Sequence, residues 1–123
     1  ARLTAAARKH GANRCFMSAA SPGVTALFFR NDYYPRREDY VFALADALRH
    51  EYEAIVDAGI QLQIDCPDLA MGRHTQFAEL SLAEFRAQAE LNVEAINRAL
   101  VNVPAEKVRM HLCWGNYPGP HHC

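Results

Sequence analysis

His111 and Cys113 stand two positions apart in Val108-Arg109-Met110-His111-Leu112-Cys113, an imidazole and a thiol in an extended-looking stretch. In a strand such a pair points to one face, about 6.5–7 Å apart along the chain. That spacing lets an imidazole nitrogen and a thiolate converge on one ion, and Zn²⁺ takes mixed nitrogen and sulfur ligands at roughly 2.0–2.3 Å. Two ligands do not hold zinc tightly, so further donors are required. His121, His122 and Cys123 follow on a loop that Gly115, Pro118, Gly119 and Pro120 allow to fold sharply, and Cys66 follows another strand. Each has a plainer alternative: a polar strand end with a buried thiol for the pair, an exposed loop for the later residues, and a small buried hydrophobe for Cys66.

Asp65 ends a strand-like run and is followed by Cys66 and Pro67. It is placed to bind a substrate ammonium or accept a proton, or simply to cap the next turn. Trp114, Tyr117, Tyr33 and Tyr34 suit the wall of a pocket, with core packing as their alternative duty. Arg36 and Arg37 beside Glu38 read as a solvated helix start, while Arg30 or Arg36 is available to an acidic substrate group.

The elements that would carry these residues can be read from periodicity. Ala1–His10 resembles the tail of a helix, with Leu3, Ala6 and Ala7 on one face and Gly11 as its stop. Arg14–Ala20 reads as a strand running into the turn Ser21-Pro22-Gly23. Val24–Phe29 is apolar and fits strand or helix equally. Pro35, Glu38 and Asp39 open an amphipathic helix with Val41, Leu44, Ala45, Leu48, Tyr52, Ile55 and Val56 at steps of three and four, closed by Gly59. Ile60–Asp65 is a strand. Ser81 and Glu84 form a capping box before a helix with Phe85, Ala89, Val93, Ile96 and Leu100 expected on its buried face. Val108–Cys113 is the last strand.

Helix and strand thus alternate, as in parallel sheets built by crossover helices. In Ile60–Asp65 the aliphatics share one face and Gln61, Gln63 and Asp65 the other; in Val108–Cys113 the polar side holds Arg109, His111 and Cys113. An open doubly wound sheet, the flavodoxin-like alternative, covers both faces and favours near-continuous apolar strands. A barrel lets its inner face be polar near the mouth, at the carboxyl ends of the strands. The expected fold is therefore α/β: a partial (β/α)8 TIM barrel segment with parallel strands.

Composition is that of one ordinary globular domain: 123 residues, 50% hydrophobic, 22% charged, net charge −1. So even a balance excludes a dedicated nucleic-acid or polybasic membrane binder, and no run approaches the roughly 18–20 apolar residues of a membrane span. The first residues lack the apolar core of an export signal, and the four cysteines then read as cytosolic thiols, although two disulfides in three possible pairings fit the count. A closed barrel needs about 250 residues. Residues 1–123 are accordingly expected to be part of a barrel, short of a complete domain.

Three ordered segments, Tyr52–Pro67, Met110–Tyr117 and Ala20–Thr25, resemble the catalytic C-terminal domain of cobalamin-independent methionine synthase and related zinc-dependent thiol alkyltransferases such as epoxyalkane:coenzyme M transferase. Ile64-Asp65-Cys66-Pro67 is similar to the family's Ile-Asp-Glu-Pro, His111-Leu112-Cys113 to its zinc-ligand strand, and Pro22-Gly23-Val24-Thr25 to its Gly-Pro-Val-Thr segment. The resemblance implies a cytoplasmic methyltetrahydropteroyltriglutamate–homocysteine S-methyltransferase-like enzyme of methionine biosynthesis. Zinc would hold a homocysteine-like thiol as its thiolate for attack on an alkyl donor such as methyltetrahydrofolate. On that resemblance His111 and Cys113 are metal ligands and Asp65 binds the substrate amino group, the remaining ligands coming from later strands. Cys66 replaces the family's Glu, and Phe28-Phe29-Arg30-Asn31-Asp32 replaces an Asn-Trp-Ser-Phe-like segment, which favours a divergent member using another thiol or donor. Two other expectations compete: a metal-free uroporphyrinogen-decarboxylase-like lyase, and an inactive barrel piece that self-associates or needs the rest of the barrel.

Overall fold

The computed structural model describes residues 2–116 and 118. Helix α1 (Arg2–Lys9) precedes strand β1 (Phe16–Ala20), and helices α2 (Pro22–Phe28) and α3 (Arg37–Asp57) lead to β2 (Gln61–Asp65). Two 3-10 turns, Pro67–Leu69 and Met71–His74, precede α4 (Leu82–Ala99); a third, Ala105–Lys107, feeds β3 (Val108–His111).

Local chemistry accounts for most boundaries. The ambiguous stretch after β1 is helical because Ser21 accepts a hydrogen bond from the Val24 amide at 3.0 Å and Pro22 presets the first turn. Glu38 and Asp39 lie in the first turn of α3, where negative charge is favourable. Gly59, at φ 74°, takes the left-handed conformation that turns the chain from α3 toward β2. The Ser81–Glu84 capping box forms in both directions at the start of α4.

The three strands form one parallel sheet in the order β1-β2-β3, with Ala20 opposite Asp65 and Asp65 opposite His111. One face is apolar. Ala19, Leu62 and Ile64 pack with Val41, Ala45, Tyr52 and Ile55 of α3 and Ala95, Ile96 and Ala99 of α4. Leu62 and Ile64 are essentially sealed from solvent, each worth roughly 1.5–3 kcal/mol of burial. The Tyr52 hydroxyl donates to the Ala20 carbonyl at 2.6 Å and ties α3 to the end of β1; burial raises its phenol well above the ordinary tyrosine value.

The opposite face, carrying Ser18, Gln63, Asp65, Arg109 and His111, has no helix packed on it among the described residues. Helices on one side only differ from the doubly wound alternative. The result is an α/β fold with an open three-stranded parallel sheet. No helix among the described residues is long and apolar enough to cross a membrane.

The inward face of α4 differs from the expected stripe. Val93 is 40% exposed, while Asn92 is buried along with Phe85, Ala95, Ile96 and Ala99. The steps 85-92-95-96-99 follow one helical face as well as the expected set does. A polar Asn is tolerated there because its amide has a buried partner, Asp68.

Candidate functional site

Asp65 and His111 end adjacent parallel strands, and their register brings the side chains together on the uncovered face. His111 Nε2 lies 3.6 Å from Asp65 Oδ1, with both side chains about half exposed (49% and 46%). The backbone beyond is held as well: the Cys66 amide donates to the His111 carbonyl at 2.9 Å and the Met71 amide to the Cys113 carbonyl at 3.0 Å. Cys113, two residues past His111, is a half-buried free thiol.

A polar layer lies one step below. Arg109 Nε donates to Gln63 Oε1 at 2.8 Å, Gln63 Nε2 donates to Ser18 Oγ at 3.1 Å, and the Arg109 guanidinium stacks 3.8 Å over the Phe16 ring. The layer crosses all three strands in register. Because Phe16 lies opposite Gln61, the Arg109 head leans toward the amino ends of the strands, away from Asp65 and His111.

The donor chemistry of His111 and Cys113 suits zinc. His111 Nε2 faces Asp65 at a distance just outside hydrogen-bond range, which leaves Nδ1 as the nitrogen open to a metal; a carboxylate that closes onto the other ring nitrogen is the usual support of a zinc-binding histidine. Among the described residues no group of three or more His, Cys, Asp or Glu side chains gathers where a metal could sit. The remaining places in a tetrahedral set would have to be filled from elsewhere. His121, His122 and Cys123, the expected loop ligands, lie outside the described residues, as does Tyr117.

Cys66 is the buried hydrophobe of its two readings. It is sealed in the core cluster on the Leu62–Ile64 side of β2, and burial together with nearby Asp68 pushes its thiol up to about 12. A thiol so held is protonated and unreactive at neutral pH. The described cysteines, Cys15, Cys66 and Cys113, form no disulfide among themselves. Arg36 is engaged by Asp39 through two hydrogen bonds at 2.9 and 2.6 Å, and Arg30 by Asp32, so both have acidic partners within the chain.

Trp114 is half exposed and meets His74 edge-on at 6.2 Å. It borders a cleft of about 530 Å³ with Leu69, Arg73, Leu82 and Phe85. Tyr33 and Tyr34 pack edge to face, and Tyr34 stacks near Tyr40, whose hydroxyl donates to the Phe29 carbonyl. They form a local cluster ahead of α3.

Of three buried polar residues, Ser21 is marked by its turn only, and Asp68 and Asn92 are not marked by motif or spacing. The one available signal is Asn92 on the inward face of a helix, which requires a polar partner. Periodicity does not say that the partner is Asp68, 24 positions away.

Curated relatives are named methionine synthase. One from Saccharolobus solfataricus is 35% identical over 102 residues, covering 82% of this chain and 26% of the relative. One from Saccharolobus islandicus is 39% identical over 88 residues, covering 71% of this chain and 22% of its own length. A third, from Sulfurisphaera tokodaii, is 29% identical over 102 residues. The chain thus spans about a quarter of the length of the relatives it matches. No family model and no solved structure matches it.

Proposed function

We propose that this chain is a sector of a methionine-synthase-like (β/α)8 barrel and carries part of the active site of a cytoplasmic zinc-dependent thiol methyltransferase. The observation that carries this reading is the Asp65–His111 pair at the carboxyl ends of neighbouring parallel strands, with Cys113 two residues on. The similarity to proteins named methionine synthase supports it over 82% of the chain. The polar, uncovered sheet face supports the barrel assignment, because an inward face of this kind suits the mouth of a barrel.

In this reading His111 and Cys113 hold the metal, with the other ligands outside the described residues. Zinc, when bound, supplies the positive charge that makes a coordinated thiol a nucleophile at neutral pH. Asp65 serves the imidazole and the substrate together. Its carboxylate orients His111 through Nε2 and remains exposed enough to receive the ammonium of a thiol amino acid such as homocysteine. The Ser18–Gln63–Arg109 layer fixes the side chains beneath the pair and limits their movement. The methyl donor is a methyltetrahydrofolate or a related alkyl compound.

Metal content and thiol-dependent methyl transfer, measured on the intact protein, test the proposal. His111→Ala and Cys113→Ser are each expected to lose bound zinc and nearly all methyl transfer. Variants that kept full zinc and full activity would exclude the assignment.

A further inference from the structure

Ser21, Asp68 and Asn92, which the proposed reaction does not use, meet in the interior beside the Asp65–His111 pair. Ser21 caps α2 directly after β1, Asp68 lies in the 3-10 turn after β2, and Asn92 sits on the buried side of α4. Ser21 Oγ donates to Asp68 Oδ1 at 2.7 Å and Asn92 Nδ2 donates to Asp68 Oδ2 at 2.9 Å. Arg37 of α3 closes the cluster, with Nη2 on Asn92 Oδ1 at 3.4 Å and Nε on Gln88 Oε1 at 2.7 Å. Gly23 makes room for it: a methyl group there would overlap Asp68 Oδ2 and the Asn92 amide.

The cluster is joined to the site through the backbone. The Ser21 amide donates to the Asp65 carbonyl at 3.0 Å, while the Ser21 hydroxyl holds Asp68. Ser21 therefore grips segment 65–68 at both ends, and Asn92 anchors the far end to α4. From the other side the Cys66 amide donates to the His111 carbonyl. A sealed carboxylate is costly compared with an apolar residue of similar size, and a role in fixing one arrangement is a reason for such a group to persist.

We infer that Asp68, held by Ser21 and Asn92, is a positioning device that sets the separation of Asp65 and His111. The inference rests on the function proposed above only for its kinetic readout. None of the three side chains touches substrate; they act through the 65–68 backbone.

The test compares Asn92→Asp with the exchange variant Asp68→Asn/Asn92→Asp in the intact protein. Asn92→Asp sets two carboxylates against each other. The exchange puts an amide opposite a carboxylate again and leaves the carboxylate introduced at position 92 facing Arg37. At a temperature where circular dichroism shows both folded, Asn92→Asp is expected to lower kcat/KM for thiol methylation about 10- to 100-fold, mainly through kcat. The exchange is expected to recover most of the loss. A folded Asn92→Asp enzyme with unchanged kcat and KM overturns the inference, since the cluster would then serve stability alone.

Should the wild-type protein hold no zinc and methylate no thiol, the proposed function fails. Crystal structures of the same proteins then decide the positioning role separately. An Asp65–His111 distance that opens in Asn92→Asp and closes in the exchange supports it; a distance unchanged across the series overturns it. If Asn92→Asp does not fold, Asp68→Asn, which keeps the shape and removes the charge, is read in the same way with a smaller expected loss.

Discussion

At the level of single residues, strand alternation makes the site's chemistry legible. It assigns Asp65 and His111 to polar strand faces, and they lie 3.6 Å apart. Asp65→Asn should raise KM for a thiol amino acid about tenfold or more, the equivalent of one hydrogen bond to a charged group at roughly 1.5–3 kcal/mol, and should lower kcat as well because His111 loses its carboxylate neighbour. Steady-state kinetics with homocysteine and with an amine-free thiol would check it, because the fall in kcat should be common to both while the rise in KM should appear only with the former. Cys66 makes the opposite kind of prediction. Its thiol value is raised from 9.0 to about 12, so its contribution to stability is fully present below about pH 9 and is lost as pH rises toward about 12. Denaturation midpoints across that interval should fall more steeply for the wild type than for Cys66→Ala. Asp68, raised by burial, follows the same sign at acid pH: what it contributes is complete below the ordinary carboxylate range and declines as pH rises through its folded value. No spacing rule marks Asp68, because its partners come from the end of β1 and from α4.

At the level of elements, capping signals are more reliable than apolar spacing. The Ser81–Glu84 box forms as its sequence implies, and Ser81→Ala should cost about 1 kcal/mol in chemical denaturation. Apolar spacing along α4 puts Val93 inside and leaves Asn92 out; the structure reverses the two. Ile96→Ala is therefore expected to destabilise by roughly 2–5 kcal/mol, whereas Val93→Ala should stay within about 0.5 kcal/mol. Equal losses at both positions would contradict the observed rotation of the helix. The stretch after β1 shows why short apolar runs resist assignment. Pattern alone fits strand or helix, and the Ser21 cap with Pro22 decides for helix.

At the level of the molecule, the sheet has two unpaired edges among the described residues, and its helix layer centres on β2. Met17, Met110 and Leu112 remain substantially exposed, and Phe16 is half open on the polar face. Exposed apolar surface beside open strand edges favours association. Residues 1–123 expressed alone should sediment as dimers or larger assemblies, and Met110→Lys with Leu112→Lys should shift them toward monomer; a well-folded wild-type monomer would count against this. The three strands and the two long helices, the parallel α/β class, the two-faced strands and the placing of Asp65 and His111 at strand ends are written in the chain, because each follows from local propensity and a period of two or 3.6 residues. Long-range packing had to settle the rest: that α4 turns Asn92 inward and Val93 outward, that Cys66 turns into the core, and that Ser21, Asp68 and Asn92 share one buried cluster. The cluster depends on hydrogen bonds between residues 24 and 47 positions apart, where burial and hydrogen-bond satisfaction act between elements and leave no periodic trace in the chain.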